Sequence, residues 1–470
     1  MDGLFGIEIA RRALQASQYA MDVTAHNIAN ANTDGYTRQR AILGTTEPFP
    51  SPEWNRPLLQ GQLGTGVEVK SIDRVREGYF DDQIRKENQS LGEWNIKDNA
   101  LKQLETIINE PSDSGLSSIM GGFWNSWQEL STNPESLTLR SAVVQNGSML
   151  ATQFNQLDQK LSRLQDSLND QVAVDVSNIN DITQQIAEIN QEVARVKAYG
   201  ANPNDQLDQR DQLLDQLSKL ANVQISELNS GVTEVYLNGT QLVSQYGANQ
   251  LQVVSNASNN GYYDVTWASD GTKATINGGE LKGLIDTRDN IIPNKYRADL
   301  NTLANTIVTQ VNQLHKAGYG LDGNTGYNFF DPTKTTAATI ALSSDVSDPN
   351  HVAAASSWPA GGAPGDNTNA LAIGQLKDAL LMSGNTITMD DYYRSTVTNL
   401  GIDSQESSKM VANAQSYYNL IENHRQSVSG VSLDEEATNM IKYQKAYEAA
   451  AKLVTVFDSM LDTLINKMGS

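Results

Sequence analysis

The closing stretch of the chain, residues 431–470, restricts the fold more than any other. Counting from Met440, apolar or small side chains recur at Tyr443, Tyr447, Ala450, Val454, Phe457, Leu461, Leu464 and Met468, in steps that alternate between 3 and 4. The mean repeat of 3.5 residues holds one seam on one side of a turning helix. Neither Gly nor Pro interrupts it before Gly469. Ser432 and Glu435 have the S-x-x-E spacing of a capping box, which satisfies unpaired N–H groups at a helix start. A stripe this narrow cannot be buried by its own helix, so it requires a partner.

The opposite end of the chain offers one. No Gly or Pro falls between Ile7 and Asp34, and Ile7, Ala10, Leu14, Ser17, Met21, Thr24 and Ile28 again step by 3 and 4. Ala10, Ser17 and Thr24 are small or polar, and small seam residues let helices approach closely. The two ends therefore read as helices of one coiled-coil-like module. An ordinary pair of core helices closing a globular domain has the same periodicity, and periodicity alone leaves both readings open.

Residue identity narrows the choice. The run Ala25-His26-Asn27-Ile28-Ala29-Asn30-Ala31-Asn32-Thr33-Asp34-Gly35-Tyr36-Thr37-Arg38-Gln39 resembles the N-terminal signature of the bacterial flagellar axial proteins, the rod, hook and hook-associated proteins. Ser429-Gly430-Val431-Ser432-Leu433-Asp434-Glu435-Glu436-Ala437, with Tyr443-Gln444-Lys445-Ala446-Tyr447 and Ala449-Ala450-Ala451-Lys452, is similar to the C-terminal signature of the same family. Within the family, Tyr36-Thr37-Arg38-Gln39 points to the hook-associated branch that joins hook to filament; hook proteins more often carry Phe and Lys there. The family usually has Pro where this chain has Asp34, although Asp-Gly is itself a strong turn pair.

The resemblance implies a structural adaptor without chemistry or cofactor, assembled through its terminal helices into an axial tube. The implied partners are copies of the same chain in a ring or helical array, the hook protein, a second junction protein on the filament side, and an export chaperone at the C-terminal helix. It also implies an extracellular place in the flagellum, reached through type III export without a cleaved signal peptide. The expected assembly interface comprises Ile7, Leu14, Met21 and Ile28 with Asn27, Asn30, Gly35 and Tyr36 at one end. At the other it comprises Tyr443, Tyr447, Ala450, Val454, Phe457, Leu461, Leu464 and Met468. Helices whose seam faces water are marginal alone, so the ends are expected to order only on polymerisation. Two other classes stay open: a different axial part, such as hook or distal rod, and a secreted surface or carbohydrate-active protein acting through a β lobe.

The whole chain is consistent with this. Its 470 residues suffice for three or four domains, and 39% hydrophobic content supports packed cores. The net charge of −21 argues against nucleic acid and anionic membranes as partners. Residues 1–40 are neutral and 431–470 carry −2, which leaves −19 on the 390 residues between. Near-neutral ends can pack side by side in many copies while an acidic middle stays solvated. With no Cys, disulfides and thiol catalysis are excluded. No apolar run approaches the ~20 residues of a membrane span, and Asp2 and Glu8 interrupt any secretory signal.

The middle reads as mainly α with an inserted β region, an α+β multidomain chain. Pro48, Pro50, Pro52, Pro57, Gly61, Gly64 and Gly66 mark 41–80 as an extended connector, with short strands near Val67, Val69 and Ile72. A central long-helix bundle is expected from 81–222 with 283–320 and 370–430. Its stripes are Trp94, Leu101, Leu104 and Ile108, then Leu116, Met120, Phe123, Trp127 and Leu130. From Ser148 to Tyr199 one helix of roughly 75 Å is expected, its stripe slipping near Asp175. After Asn202-Pro203 a further helix carries Leu207, Leu213, Leu214, Leu217 and Leu220. From Val223 the period becomes two, and Asn238-Gly239 is a hairpin signal, so 223–282 reads as a small all-β lobe. The segment 321–369 is rich in Gly, Asn and Ser, with weak strands near Thr336–Leu342. Residues 390–399 and 403–427 read as two helices leading to the tail.

Catalytic patterns are not found. His26, His315, His351 and His424 lack a second His at ligand spacing. Asp322-Gly323-Asn324 has only part of a calcium loop. The glycines of residues 61–66 lack the phosphate-cradling spacing and a following Lys, and Asp434, Glu435 and Glu436 suit a helix N-terminus. No metal is expected.

Overall fold

The computed structural model describes residues 2–47, 64–358 and 365–463. Leu464 and Met468 of the expected seam, and residues 48–63 of the expected connector, lie outside the described residues. In chain order, helix α1 (Asp2–Ala29) leads into strands β1 (Gln39–Thr45) and β2 (Val67–Arg74). Four helices follow: α2 (Gly78–Ile108), α3 (Leu116–Thr132), α4 (Leu137–Ala198) and α5 (Asn204–Leu220). Then come β3 (Val223–Glu227), β4 (Thr233–Leu237), β5 (Thr240–Ser244), β6 (Gly247–Ala248), β7 (Leu251–Ser255) and β8 (Tyr263–Trp267). Helices α6 (Glu280–Asp286), α7 (Ala298–Ala317), α8 (Thr368–Gly374), α9 (Met389–Ser429) and α10 (Leu433–Asp462) complete the chain.

The terminal helices α1 and α10 lie along each other, the most extensive contact between any two elements of the described residues. Residues 39–74 are not a plain connector. β1 and β2 pair antiparallel, from Gln39 opposite Arg74 to Thr45 opposite Val67, with a bulge after Ile42. Their inner face packs on α1, where Ala20, Val23 and Ala41 form a small cluster with Val69, Ile72 and Tyr443. Small side chains on α1 are what permit this, because the helix must sit close to α10 on one side and to the sheet on the other.

The body is built on α4, which spans 62 residues, about 93 Å at the α-helical rise. It starts eleven residues earlier than the expected Ser148 because Gly147 does not break it. That glycine is a packing position: a Cβ there would lie 2.6 Å from the Phe329 ring. The expected slip near Asp175 is absent too. Leu168, Val172, Asp175 and Ile179 continue the buried stripe, with a carboxylate occupying a core position. Leu116, Met120, Phe123, Trp127 and Leu130 of α3 are all buried as the stripe requires.

The β lobe comprises a four-stranded antiparallel sheet, β3-β4-β5-β6, and a separate β7-β8 pair. Asn238 and Gly239 both have positive φ, as a two-residue type I′ hairpin turn demands. Asparagines of α4 hold the lobe. The Asn180 amide donates to the Leu251 carbonyl and accepts from its N–H, both at 2.8 Å, and Asn190 does the same for Thr233 at 2.7 and 3.0 Å. Each stands in for a neighbouring strand.

Between α6 and α7 the helix continues through a π-helical stretch, Thr287–Arg297, that contains Pro293. The wider turn accommodates a residue with no N–H to give. The weak strands expected near Thr336–Leu342 do not form; this stretch has only an isolated bridge between Phe330 and Leu342. The segment is turn-rich, and it buries Phe329, Phe330, Ile340 and Val346 against α3 and α4. The two helices expected in 390–427 are one helix of 41 residues that carries Gly401 inside it. That glycine costs roughly 1 kcal/mol, which packing along α2 offsets.

Candidate functional site

The site is the terminal helix pair and the joint that attaches it to the body. On α10 the residues turned toward α1 are those of the heptad stripe. Ala450 is buried, and Met440, Tyr443, Val454, Phe457 and Leu461 are half-buried. Tyr447 sits at the edge, 38% exposed. Phe457 is seated on Gly6 of α1, where even a Cβ would come within 2.3 Å of its ring. On α1 the buried line is shifted from the expected one. Ala10, Ser17, Ala20, Thr24 and Asn27 form its centre, Ile7, Leu14 and Met21 flank it half-buried, and Ile28 is exposed. The small residues lie at the closest approach, and the large ones pack at the margin.

A second apolar set on α10 faces away from α1. Ile441, Leu453, Val456 and Met460 are between 44% and 58% exposed. On α1, Tyr19 and Ile28 are exposed as well. The pair closes one seam and leaves another surface of large apolar side chains open.

Below the pair, the N-terminal signature forms a hydrogen-bonded knot. Asn27 is buried and uses its side-chain amide fully. Its Nδ2 donates to the Gln39 carbonyl at 2.8 Å and to Glu436 Oε2 at 3.1 Å, and its Oδ1 accepts from Gln39 N–H at 2.9 Å and the Tyr36 hydroxyl at 2.8 Å. Since that hydroxyl donates to Asn27, it accepts from His26 Nδ1 at 3.0 Å. Burial, with the nearby carboxylates Asp205, Asp208 and Glu436, pushes the Tyr36 phenol above its ordinary pKa, so it stays a donor. Asn30 Nδ2 caps the His26 carbonyl at 3.0 Å. Gly35 occupies the third position of a β-turn with φ of +73°, closed by Tyr36 N–H to the Thr33 carbonyl at 3.2 Å. Asp34 is thus compatible with a turn in which only the glycine needs positive φ. Gln212 Nε2 donates to the Asp34 carbonyl at 2.6 Å and lies where any side chain on residue 35 would go.

The C-terminal signature meets this knot. Arg38 pairs with Glu435 at 2.7 Å and Glu436 at 2.8 Å. The expected capping box is therefore half made: Ser432 Oγ accepts from Glu435 N–H at 3.5 Å, while the Glu435 carboxylate turns to Arg38.

Beneath lies an ion-pair network that sequence patterns did not single out. Arg74 reaches Asp208 and Asp211 at 2.7 Å each, and Arg76 makes a bidentate pair with Asp81 at 2.6 and 2.8 Å and meets Asp211 at 3.0 Å. Arg85 holds Asp211 and Asp215, and Arg425 holds Asp215 at 2.8 Å. Burial by itself would raise the Asp211 carboxyl, but Arg76, Arg74 and Arg85 outweigh it and hold it at about 2. A polar cleft of about 730 Å³ opens beside the network, between Asn32, Arg38, Tyr418 and Gln426. A signal was present in the chain: Asp208, Asp211 and Asp215 step by 3 and 4 along one helix face, and Arg74 and Arg76 stand two residues apart where β2 ends.

Among the described residues, no group of three His or acidic side chains is placed to hold a metal ion, and no helix is long and apolar enough to cross a membrane. His315 is a core residue. Its Nε2 accepts from Ala353 N–H at 3.0 Å and its Nδ1 donates to the Tyr327 carbonyl at 2.7 Å, and burial lowers its pKa to about 4.

Comparison with known proteins agrees with this architecture. The family described as flagellar hook-associated protein FlgK helical domain matches residues 101–330, the flagella basal body rod protein family matches 7–37, and the flagellar basal body rod FlgEFG protein C-terminal family matches 422–467. Flagellar hook-associated protein 1 of Bacillus subtilis is 35% identical, over 99% of this chain and 98% of its own length. The chain belongs to the flagellar hook-associated protein 1 family. The Salmonella typhimurium member is 26% identical over 98% of this chain and 99% of its own. The flagellar hook junction protein FlgK of Burkholderia pseudomallei shares the fold, with a TM-score of 0.66 at 17% identity, covering 74% of this chain and all of that one. As a member of this family the chain is a structural component of the flagellar hook–filament junction.

Proposed function

We propose that this chain joins hook to filament by building its α1/α10 pair, copy beside copy, into the wall of the axial tube. The observation that carries the reading is the second apolar surface of α10, Ile441, Leu453, Val456 and Met460, which is left open among the described residues. Removing each such side chain from water contributes about 1.5–3 kcal/mol. A few of them, repeated around a ring or helical array, suffice to hold it. Asn27, Asn30, Gly35 and Tyr36 serve that interface from inside, by fixing how the pair leaves the body.

The resulting division is a terminal module of 1–40 with 431–470, to which the β1/β2 sheet, Gln39–Thr45 with Val67–Arg74, is added in place of a plain 41–80 connector. The helical body combines 81–222, 283–320 and 370–430, with the β lobe 223–282 and the segment 321–369 built on it. The chain does no chemistry. Its partners on this reading are the hook protein, a second junction protein on the filament side, and an export chaperone that covers α10 before secretion. It takes its place outside the cell, in the extracellular flagellum.

The test is Leu453→Asp with Val456→Asp. The doubly substituted monomer keeps wild-type melting, yet fails to restore filaments to cells lacking the native chain. Filaments of normal number and length in those cells would overturn the reading. Leu461→Asp, on the inner seam, weakens assembly and chaperone capture together.

A further inference from the structure

The ion-pair network is arranged in a way that stability alone does not call for. Three passes of the chain run between the terminal pair and the body, and all three are held on helix α5. The outgoing segment just before β1 is held where Thr37 N–H donates to Asp208 Oδ2 at 2.9 Å. The end of β2, re-entering the body, is held by Arg74 and Arg76 on Asp208 and Asp211. The returning end of α9 is held by Arg425 on Asp215. The outgoing and returning passes are also tied to each other, by Arg38 N–H on the Ser429 carbonyl at 2.9 Å. Asp208, Asp211 and Asp215 lie on one face of α5, so a single rigid helix presents all three carboxylates.

We propose that α5 is a latch that fixes the direction in which the terminal helix pair leaves the body. Four guanidiniums, Arg74, Arg76, Arg85 and Arg425, meet four carboxylates, Asp81, Asp208, Asp211 and Asp215, with no side chain more than 20% exposed. Buried ion pairs add little net stability over apolar residues of the same size. What they supply is geometry: the bidentate Arg76–Asp81 contact, and Arg74 and Arg85 each shared between two carboxylates, accept one arrangement and penalise others. Three guanidiniums on the connecting segments, Arg74, Arg76 and Arg425, held on α5 together with Thr37, convert chain passes that by themselves would swivel into a set angle. In a tube of many copies, an angle error in each subunit is repeated around the wall, so a subunit that assembles through its ends needs that angle fixed beforehand. This last step rests on the proposed assembly through α1 and α10; the latch itself does not.

Distance measurements on the free monomer separate the two. The chain has no native Cys, so spin labels can be attached at Gln18→Cys on α1 and Gln191→Cys on α4, both exposed. A second labelled pair, Gln18→Cys with Ala449→Cys, reports on the terminal module alone. In the otherwise unsubstituted chain both distance distributions are narrow. Asp211→Asn, or Arg74→Gln with Arg76→Gln, broadens the body-to-module distribution at least twofold and leaves the module's own distribution unchanged. The milder Arg425→Gln gives the same pattern with a smaller broadening. Arg85→Gln, which breaks a contact of α2 with α5 inside the body, lowers the melting temperature without broadening either distribution. An unchanged body-to-module width in the latch variants overturns the proposal. So does equal broadening of both labelled pairs, or broadening by Arg85→Gln as large as by Arg74→Gln with Arg76→Gln. Because no polymerisation is involved, failure here leaves the assembly reading standing, and failure of the assembly test leaves the latch standing.

Discussion

Along α4, Leu157, Leu161, Leu164, Leu168, Ile179, Ile186 and Val193 keep a helical period and are all buried by their own chain. Along α10, a stripe of equal regularity is only half covered, and a second apolar set beside it is open. Both helices have the periodicity of bundle members. The difference is in what the rest of the chain brings to them: α4 is surrounded by α2, α3, α5, α6 and the β lobe, while α10, among the described residues, packs chiefly along α1. A pattern alone states that a helix has partners; whether they belong to the same chain is decided by what folds around it.

The contrast can be broken most forcefully in the body. Trp127→Ala opens a hole beside Phe123, Phe329 and His315 and costs about 3–5 kcal/mol, seen as a large drop in melting temperature. If truncating Phe457 cost the monomer as much, the terminal pair would be ordinary core and the contrast would fail. Acid acts on the same core. His315 has its pKa lowered from 6.5 to about 4, so its contribution is complete above pH 6.5 and is lost as pH falls toward 4. The loss is on the order of 3 kcal/mol, and His315→Gln should flatten that limb of the pH–stability curve.

Asp175 works in the opposite sense. Burial raises its pKa from 3.8 to about 6, so it weakens the fold as pH rises through that range. Asp175→Leu should raise the melting temperature at pH 7, by an amount equivalent to about 3 kcal/mol, and have little effect near pH 3. At the terminal pair the effects on the monomer are smaller still. Gly6→Leu displaces Phe457 from its seat and should change monomer melting by less than about 0.5 kcal/mol, as for an exposed site, while impairing assembly. A large monomer effect would bring α10 closer in kind to α4.

How much of this was legible in the chain depends on the reach of each interaction. The α10 seam from Met440 to Leu461, the α3 stripe and the Asn238-Gly239 turn are local patterns, and apart from Tyr447 at the edge of the seam each lies where its period placed it. The buried line of α1 was displaced because close approach favours Ala and Ser over Ile and Leu, a preference hydrophobic counting does not register. Gly147 and Gly401 read as helix ends, yet one gives room to Phe329 and the other sits inside a helix held by α2. The latch was the least legible. Arg74 and Asp208 are 134 residues apart in the chain, and nothing local says that they meet. Asn27 lies between these cases: its run of sequence is distinctive, but its four hydrogen bonds become visible only with Gln39, Tyr36 and Glu436 in place.

Hydrogen exchange along α10, compared between free monomer and assembled junction, tests the central claim most directly. The account predicts that, in the monomer, α10 from Ile441 to Met460 is a folded helix that opens locally and exchanges faster than α4, with protection comparable to α4 once copies have assembled. Protection in the monomer already equal to that of α4, or continued fast exchange in the assembly, would contradict it.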